Sequence, residues 1–348
     1  MSSKFNFDIR SEKICLWPPL SGVGGPASFY QKMKAGIENR GLKMADDPED
    51  PLCKTVLVIG GSAQLDKLWR ARHSGKKIFQ RLNGMNWVHR RRFTGVNHFL
   101  RSERNNFLLA TIRRFLADGV IYQSQFSKTW WHSVYGGTHS PDTVVYNGVD
   151  LEQYIPLNLK ESQDGLIRLL IIEGHLGGGH QYGLDIAHHL GLGLQNRLNR
   201  PVEIRIVGDV PEPDRLKWSR VSDIQMQFLG VVPRHDIRGL NHTSHLMYTT
   251  ELNAACPNSV IEAMACGLPV IGYRTGSIYE LLGDEGGVCV PYGSDHWKLE
   301  KPDIGNLVAA GVQVLQALPQ YRLSARKRAE ELFDVNRMVD LYLGFMLG

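Results

Sequence analysis

Short apolar runs alternate with amphipathic stretches along nearly the whole chain. In the first half, runs with the length and composition of buried strands lie at 14–17, 55–59, 77–82, 119–124 and 143–146. In the second half, they lie at 167–172, 202–207, 228–231, 245–249, 270–273 and 287–291. Strands that alternate with helices form parallel sheets covered on both faces. We therefore predict an α/β fold with two doubly wound parallel-sheet domains.

A polar segment separates the two halves of this pattern. Residues 151–165 contain Pro156 and the run KESQDG, and we interpret them as an interdomain linker. The predicted domains cover residues 1–158 and 166–333, and an apolar helix at 336–346 lies in a final segment, 334–348. A basic, aromatic-rich segment that ends near Arg104 is expected to be a loop or lid, and 107–116 a helix.

Composition places the chain among globular proteins. Its 348 residues are 43% hydrophobic and 22% charged, as in ordinary globular domains. The five cysteines form no CxxC pair and no zinc spacing, which is typical of a reducing compartment. The N-terminal MSSKFNFDIRSEK lacks the apolar core of a signal peptide, and no apolar run is long enough to cross a bilayer. We expect a cytoplasmic protein.

Much of the formal charge of +5 is local. Basic side chains cluster at Arg90, Arg91, Arg92, Arg101, Arg104, Arg113 and Arg114. Such a cluster can meet an anionic acceptor, a lipid head group or nucleic acid, although a solvated basic face is the more ordinary explanation. We expect no stable nucleic-acid complex, and leave open a peripheral membrane contact through Arg90, Arg91 and Arg92.

The stretch ELNAACPNSVIEAMACGLPVI, residues 251–271, predicts a helix that opens after Pro257 and ends at Gly267. Ser259 and Glu262 lie three apart, on the face turned away from the apolar stripe. The first N–H groups of such a helix can bind an anion, and a nearby carboxylate can bind sugar hydroxyls. On these residues alone, an ordinary helix with a surface Glu262 is the more frequent explanation.

Two glycine-rich turns follow predicted strands. Gly24 and Gly25 lie in the first turn, and the second spans 174–180 and contains Gly178 and Gly179. Glycines between a strand and a helix let the backbone approach a phosphate closely. Such turns are also common where no ligand binds.

Several motifs together resemble the retaining GT-B glycosyltransferases of family 4, glycosyl transferases group 1. They are GVGGPASF, VIYQSQFSKTWW, VVYNGVD, VGD, FLGVVPR, PNSVIEAMACGLPVI and TGSIYELLGDEGGVCVP, in the family's order. The resemblance implies two Rossmann-like domains that face each other across a cleft. It also implies a donor nucleotide-sugar in the C-terminal domain, an acceptor in the N-terminal domain, and a final helix that crosses back to the first domain.

The resemblance assigns roles to individual residues. Glu262 matches the glutamate that binds the donor ribose, and Val232, beside Pro233, lies where the backbone meets the base. Positions that match contacts to the diphosphate and the sugar are Gly24, Gly25, Asn258, Ser259 and Val260. Gly178 and Gly179 are donor-binding candidates for a different reason, because their turn can form an anion nest.

The chain departs from the family pattern at four positions: Ala254, His175, His180 and Asn83. The first glutamate of the motif should lie eight residues before Glu262, where this chain has Ala254; Glu251 and Asn253 are out of register. His175 and His180 align with an arginine and lysine that neutralise the leaving diphosphate, and Asn83 aligns with a histidine near the reacting sugar. His175, His180 and Asn83 are therefore the candidate catalytic residues, and the glycine turn can add N–H groups as an anion nest. Structural histidines that cap a helix start are an equally good explanation of His175 and His180.

The resemblance implies sugar transfer with retention from a nucleotide-diphosphate-sugar, UDP- or GDP-linked, to a hydroxyl acceptor. No metal is expected, because protein groups neutralise the diphosphate in such enzymes, and no cofactor is expected beyond the co-substrate. The acceptor can be a glycan, a lipid-linked sugar or another hydroxyl compound. The departures leave open a nucleotide-sugar-binding protein with lost or altered activity, and the arginines leave open a GT-B transferase that acts on nucleic acid. A nucleotide-sugar epimerase of the same fold is a further alternative, but it would need more ionisable groups at the reacting sugar than this sequence offers.

Overall fold

The computed structural model describes residues 12–22, 24–157, 164–176, 182–220 and 223–348. The chain divides into two compact units. Unit 1 comprises the described residues of 1–87, 95–148 and 334–348, and unit 2 those of 88–94 and 149–333.

Unit 1 is built on a six-stranded parallel sheet with the order β2-β1-β3-β4-β5-β6. Its strands are β1 Lys13–Trp17, β2 Lys43–Ala45, β3 Cys53–Ile59, β4 Lys77–Leu82, β5 Gly119–Tyr122 and β6 Asp142–Val144. Its helices are α1 Gly25–Glu38, α2 Leu65–His73, α3 Val96–Thr111, α4 Gln125–Tyr135 and α12 Val335–Leu347, with a π-helical segment, Ile112–Leu116, after α3. A 3₁₀ turn at Val88–Arg90 belongs to unit 2.

Successive side chains along the strands of unit 1 point to opposite faces of the sheet, so a hydrophobic core lies on each face. Ile14, Leu16 and Leu57 lie in one core, together with side chains of α1 and α12. Cys15 and Val56, their neighbours in sequence, lie in the other core. Residues buried on both faces explain why these strands appear in the sequence as continuous apolar runs.

Helix α12 packs on α1 within unit 1. The rings of Phe29 and Tyr342 lie 5.0 Å apart between centroids. A Cβ at Gly36 would lie 2.4 Å from Val339 Cγ2, so glycine allows the close approach of the two helices. Residues 334–348 therefore add their apolar face to the core of unit 1.

Unit 2 is built on a second six-stranded parallel sheet, with the order β12-β11-β10-β7-β8-β9. Its strands are β7 Ile167–His175, β8 Val202–Asp209, β9 Gln225–Gly230, β10 Leu246–Tyr248, β11 Val270–Tyr273 and β12 Gly287–Val290. Its helices are α5 Tyr182–Leu198, α6 Glu212–Ser219, α7 Arg234–Thr243, α8 Asn258–Ala265, α9 Ile278–Leu282, α10 Ile304–Gln316 and α11 Leu318–Leu332, with a 3₁₀ turn at His296–Lys298.

The predicted fold class is confirmed: both sheets are parallel and connected through helices. The expected loop up to Arg104 is wrong in its second part, because α3 begins at Val96. Val96, Leu100 and Phe107 lie on the solvent side of the helix, whereas Leu109 is buried, so the sequence pattern did not mark a continuous core-facing stripe. Arg113 is buried, and its guanidinium donates to the Tyr122 hydroxyl at 2.8 Å and to the Gly136 carbonyl, so it is not part of an exposed basic face.

The five cysteines are free thiols, four of them buried. Within the described ranges, no helix has both the length and the apolar character needed to cross a membrane.

Candidate functional site

The carboxyl ends of β7 and β10 define a cavity in unit 2. These neighbouring strands mark the point where the strand order reverses, and open α/β sheets bind ligands at such a point. The cavity has a volume of about 240 Å³ and is lined by Glu173, Gly174, His175, Leu176, Thr250 and Glu251.

Two carboxylates share this cavity. The Thr250 hydroxyl donates to Glu173 Oε1 at 2.8 Å. Burial raises the pKa of Glu173 to about 6, against the opposing effect of that hydrogen bond. Glu251 is exposed to solvent when the whole residue is considered, in contrast to its carboxyl group. Protein packed around its carboxyl desolvates it, and together with the Glu173 charge this raises the pKa of Glu251 to about 8. The pair therefore retains about one proton near neutral pH.

His175 is the last residue of β7 and is exposed at the same edge. Its Nδ1 lies 2.8 Å from Asp209 Oδ2, at the end of β8. A carboxylate partner on Nδ1 fixes the tautomer and leaves Nε2 for a ligand. The structure therefore places His175 beside a carboxylate at the strand end, whereas a role as helix cap was the alternative.

Gly208 holds the ends of β7 and β8 together. Its φ is +136°, and a Cβ there would lie 1.9 Å from the Glu173 carbonyl oxygen. The glycine of the VGD motif thus lets the backbone of β8 pass close to Glu173.

Helix α8 begins near this edge with Asn258, after Pro257. In the described chain, no side chain caps its N-terminus, and its first turn carries no acidic residue. The N–H groups of Asn258, Ser259 and Val260 are therefore suited to an anion.

Glu262 lies one turn into α8 and is only 7% exposed. The interpretation of Glu262 as an ordinary surface residue is therefore wrong. Burial, and to a lesser extent the negative charge of Glu262, raise the pKa of Tyr154.

The loop that leads from β10 to α8 is tightly packed. A Cβ at Gly276 would lie 2.5 Å from the Ala254 backbone nitrogen, and Ser277 N–H donates to the Ala254 carbonyl at 2.9 Å. Asn253 has φ +58° and is 3% exposed, and neither polar atom of its amide has a hydrogen-bond partner among the described residues. Position 254, where the motif's first glutamate would lie, is an alanine that is 1% exposed. This chain therefore has no carboxylate at that position.

The other predicted site residues of unit 2 are described only in part. Val232 is half-buried and follows β9 at the carboxyl edge of the sheet. His180, Gly178 and Gly179 lie outside the described residues. Among the described residues, no three His, Cys, Asp or Glu side chains converge to hold a metal ion.

Unit 1 carries its candidates on the carboxyl side of its own sheet. Gly24 is the N-cap of α1 and Gly25 its first residue, and no described side chain caps that helix. Asn83 follows β4, and its carbonyl accepts hydrogen bonds from Trp131 Nε1 at 2.7 Å and Ser127 Oγ at 3.2 Å. These bonds fix the turn that carries the half-buried Asn83 side chain.

Glu173 and Asp209 were not predicted from the sequence as parts of the site, and Glu251 was set aside as out of register. Glu173 precedes the glycine-rich turn, and Asp209 ends the VGD motif. The carboxyl ends of parallel strands meet at one edge of a sheet. Polar residues directly after apolar runs were therefore the sequence signal by which Glu173 and Asp209 could have been found.

The C-terminal half matches a known family: residues 179–301 match the family described as glycosyl transferases group 1. Among curated proteins, a phosphatidylinositol N-acetylglucosaminyltransferase subunit from Arabidopsis thaliana is 26% identical over 202 residues. That similarity covers 57% of this chain and 40% of the plant protein, so the chain matches less than half of that relative.

Solved structures show the fold. Sucrose-phosphate synthase from Thermosynechococcus elongatus is 15% identical, with a TM-score of 0.69 over 96% of this chain and 98% of the other. HepE from Anabaena, in complex with UDP and glucose, is 17% identical, with a TM-score of 0.68 over 96% and 99%. The fold is the GT-B fold with two Rossmann-like domains.

Proposed function

We propose that the protein is a glycosyltransferase of family 4 that moves a sugar from a nucleotide-diphosphate-sugar to an acceptor hydroxyl, with retention and without a metal ion. The observation that carries this proposal is the uncapped N-terminus of α8 at the carboxyl edge of unit 2, inside the region that matches the glycosyl transferases group 1 family. HepE, a protein of the same fold, is described in complex with UDP and glucose, which favours UDP over GDP.

In this proposal, the donor lies along the carboxyl edge of unit 2. The N–H groups of Asn258, Ser259 and Val260 bind the diphosphate, because a helix N-terminus favours negative charge. Glu262 accepts hydrogen bonds from the ribose hydroxyls, and the backbone at Val232 meets the base. Gly178 and Gly179 supply further N–H groups to the phosphates.

The transferred sugar occupies the cavity that Glu173 and Glu251 line. Its volume of about 240 Å³ suits one sugar ring, and carboxylates are strong acceptors for sugar hydroxyls. These two side chains then take over the hydroxyl recognition that Ala254 cannot provide. Neutralisation of the pair by a shared proton limits its repulsion of the nearby diphosphate.

Transfer breaks the bond between the anomeric carbon and the phosphate oxygen, and forms the bond to the acceptor oxygen on the same face of the sugar. The acceptor's proton passes to the leaving phosphate oxygen. In its imidazolium form, His175 keeps Nδ1–H on Asp209 and donates its Nε2–H to the leaving diphosphate, and together with His180 it stabilises the developing charge, since fixed donors aimed at a leaving group lower the barrier.

The experiment that tests this proposal is thermal unfolding against UDP, GDP, ADP, TDP and their sugars. A ligand that binds the folded state at about a hundred times its Kd stabilises it by about 2.7 kcal/mol. We expect one diphosphate to raise the Tm clearly. In Glu262→Gln, which keeps the shape of the buried side chain, the affinity for that nucleotide should fall by about 5- to 50-fold.

Glu285→Gln is the matched control, because Glu285 is exposed and lies outside the proposed donor site. A Glu262→Gln variant that binds the nucleotide as tightly as the wild-type protein would remove Glu262 from the ribose site. The absence of a shift with every nucleotide would contradict the function itself.

The second candidate is a protein that binds a nucleotide-sugar without transferring it. The buried Ala254 favours it, because the site lacks the carboxylate that the family pattern places there. A donor that binds and stays intact with glycan, lipid-linked and simple hydroxyl acceptors would establish this candidate, and release of the free diphosphate would exclude it.

A further inference from the structure

Helix α3 of unit 1 presents apolar side chains to solvent. Val96, Leu100 and Phe107 are 64%, 61% and 65% exposed. They occupy positions i, i+4 and i+11, which lie on one side of a helix. We call Val96, Leu100 and Phe107 the α3 stripe.

The opposite side of α3, which faces the protein, is partly polar. Ser102 and Asn106 are buried there beside Leu109. The Asn106 amide accepts from Asn86 N–H at 2.9 Å and donates to the Asn86 carbonyl at 2.8 Å. Helices of globular proteins ordinarily bury their apolar side and expose their polar side. Packing within the described chain therefore does not account for the α3 stripe, and an exposed apolar patch of this kind indicates a binding surface.

Basic residues flank the α3 stripe. Arg101 and Arg104 are exposed on the same helix, and Arg114 is exposed in the π-helical segment that follows it. Glu103, the one acidic residue of α3, is half-buried and lies on the side of the α3 stripe, at position i+7 from Val96. The excess of positive charge selects a partner with a negative surface.

We propose that the α3 stripe and its arginines bind the surface of an anionic lipid bilayer. Apolar side chains on one side of a helix, with arginines beside them, enter the boundary between head groups and acyl chains while the charges meet anionic lipids. At 16 residues, α3 lies in this boundary and does not cross the bilayer. This inference does not depend on the proposed sugar transfer, although it would bring the enzyme to an acceptor held in a membrane.

Nucleic acid fits the surface less well. Binding to phosphates uses cations and needs no row of aliphatic and aromatic side chains. One arginine of the cluster, Arg113, is buried and bonded within unit 1. Substitution of the apolar side chains should therefore weaken binding to a bilayer but not binding to a polyanion, and this difference separates the two partners.

The test is co-sedimentation of the full chain with vesicles of phosphatidylcholine and phosphatidylserine, and with vesicles of phosphatidylcholine alone. We expect binding to the mixed vesicles, weaker binding at higher salt, and little binding without phosphatidylserine. The double variant Leu100→Ser/Phe107→Ser should partition at least about tenfold more weakly, because two large apolar side chains no longer enter the bilayer. Arg101→Gln/Arg104→Gln should lose roughly fivefold for each charge.

Matched controls come from α11, where Leu323 is 75% exposed and Lys327 has a 71% exposed side chain. Leu323→Ser and Lys327→Gln should bind vesicles like the wild-type protein. Because all the substituted side chains are exposed, the Tm of each variant should stay close to that of the wild-type protein.

Three results would overturn the proposal. The first is no binding of the wild-type protein to the mixed vesicles, and the second is unchanged binding of Leu100→Ser/Phe107→Ser. The third is light scattering that shows a dimer for the wild-type protein and a monomer for that variant, since the α3 stripe would then be covered by a second copy. Binding to a single-stranded oligonucleotide without vesicle binding would assign the arginines to nucleic acid instead.

Discussion

At the scale of single residues, glycine decides how closely the strands and loops of unit 2 can approach at the site. Gly208 and Gly276 both have positive φ, and a Cβ at either would lie within 2.5 Å of another backbone atom. A backbone atom cannot move aside as a flexible side chain does. These two glycines therefore maintain the positions of Glu173 and Ala254.

Gly208→Ala tests this close approach. We expect a loss of more than about 2 kcal/mol in the free energy of unfolding, because the new methyl group meets the Glu173 carbonyl and φ is unfavourable for alanine. The measurement is denaturant unfolding. Gly239→Ala in α7 is the control, because a Cβ there meets no atom within 4 Å, and it should stabilise the helix by up to about 1 kcal/mol. Equal effects of the two substitutions would contradict the close approach.

The two glutamates of the cavity predict how stability depends on pH. The pKa values of about 6 for Glu173 and about 8 for Glu251 exceed that of an unfolded glutamate, about 4.3. The folded state therefore holds more protons than the unfolded state across this range. The stabilisation is present at low pH and is lost as the pH rises through about 6 to about 8.

Glu251→Gln should remove most of this dependence, because the amide stays neutral. Below about pH 4.3, where this glutamate is protonated in both states, its Tm should match that of the wild-type protein, and above about pH 8 it should be higher by a few degrees. Thermal scans at a series of pH values measure this, with the exposed Glu285→Gln as a control. A wild-type Tm that rises between about pH 5 and pH 8 relative to Glu251→Gln would show the opposite sign and contradict the pKa assignment.

At the scale of elements, packing decides which helix faces are available for binding. The α8 helix was found from the sequence because its opening proline, apolar stripe and closing glycine are all local signals. The start of α3 was missed because its apolar side faces solvent. A periodic pattern shows that a helix has two faces, but long-range packing determines which face is buried.

The contact between α1 and α12 can be tested by a double-mutant cycle. Gly36→Ala alone should destabilise unit 1 by about 1–2 kcal/mol, since its methyl group would overlap Val339. In a Val339→Ala background, the same substitution should become neutral or stabilising by up to about 1 kcal/mol, because alanine favours the helix more than glycine does. Denaturant unfolding of the four proteins gives the coupling, and additive effects would show that the two positions do not touch.

At the scale of the whole molecule, two parallel sheets place polar strand ends at the carboxyl edge of each unit. In unit 2, this brings Glu173 and Thr250 to a hydrogen bond although 77 positions separate them in the chain. In unit 1, it places Asn83 after β4 and the first turn of α1 after β1.

The proposed reaction makes a prediction for the whole enzyme. Transfer should persist in excess EDTA, because N–H groups and histidines neutralise the leaving diphosphate without a metal ion. The anomeric proton coupling of the product, measured by NMR, should match that of the donor sugar. Loss of activity with EDTA that returns with Mg²⁺ or Mn²⁺ would contradict the metal-free proposal, and an inverted product would contradict retention.

The sequence by itself determined the α/β class, the alternation of strands and helices, and the helix that carries Asn258, Ser259 and Glu262. These features depend on neighbours within a few residues, so apolar periodicity, prolines and glycines report them directly. Only the tertiary structure decided that Glu262 is buried, that Glu173 accepts from Thr250 and shares a cavity with Glu251, and that Asp209 holds His175. It also decided that α3 exposes an apolar stripe. These facts depend on which strands become neighbours and which faces they cover, and contacts between distant residues leave no periodic trace in one sequence.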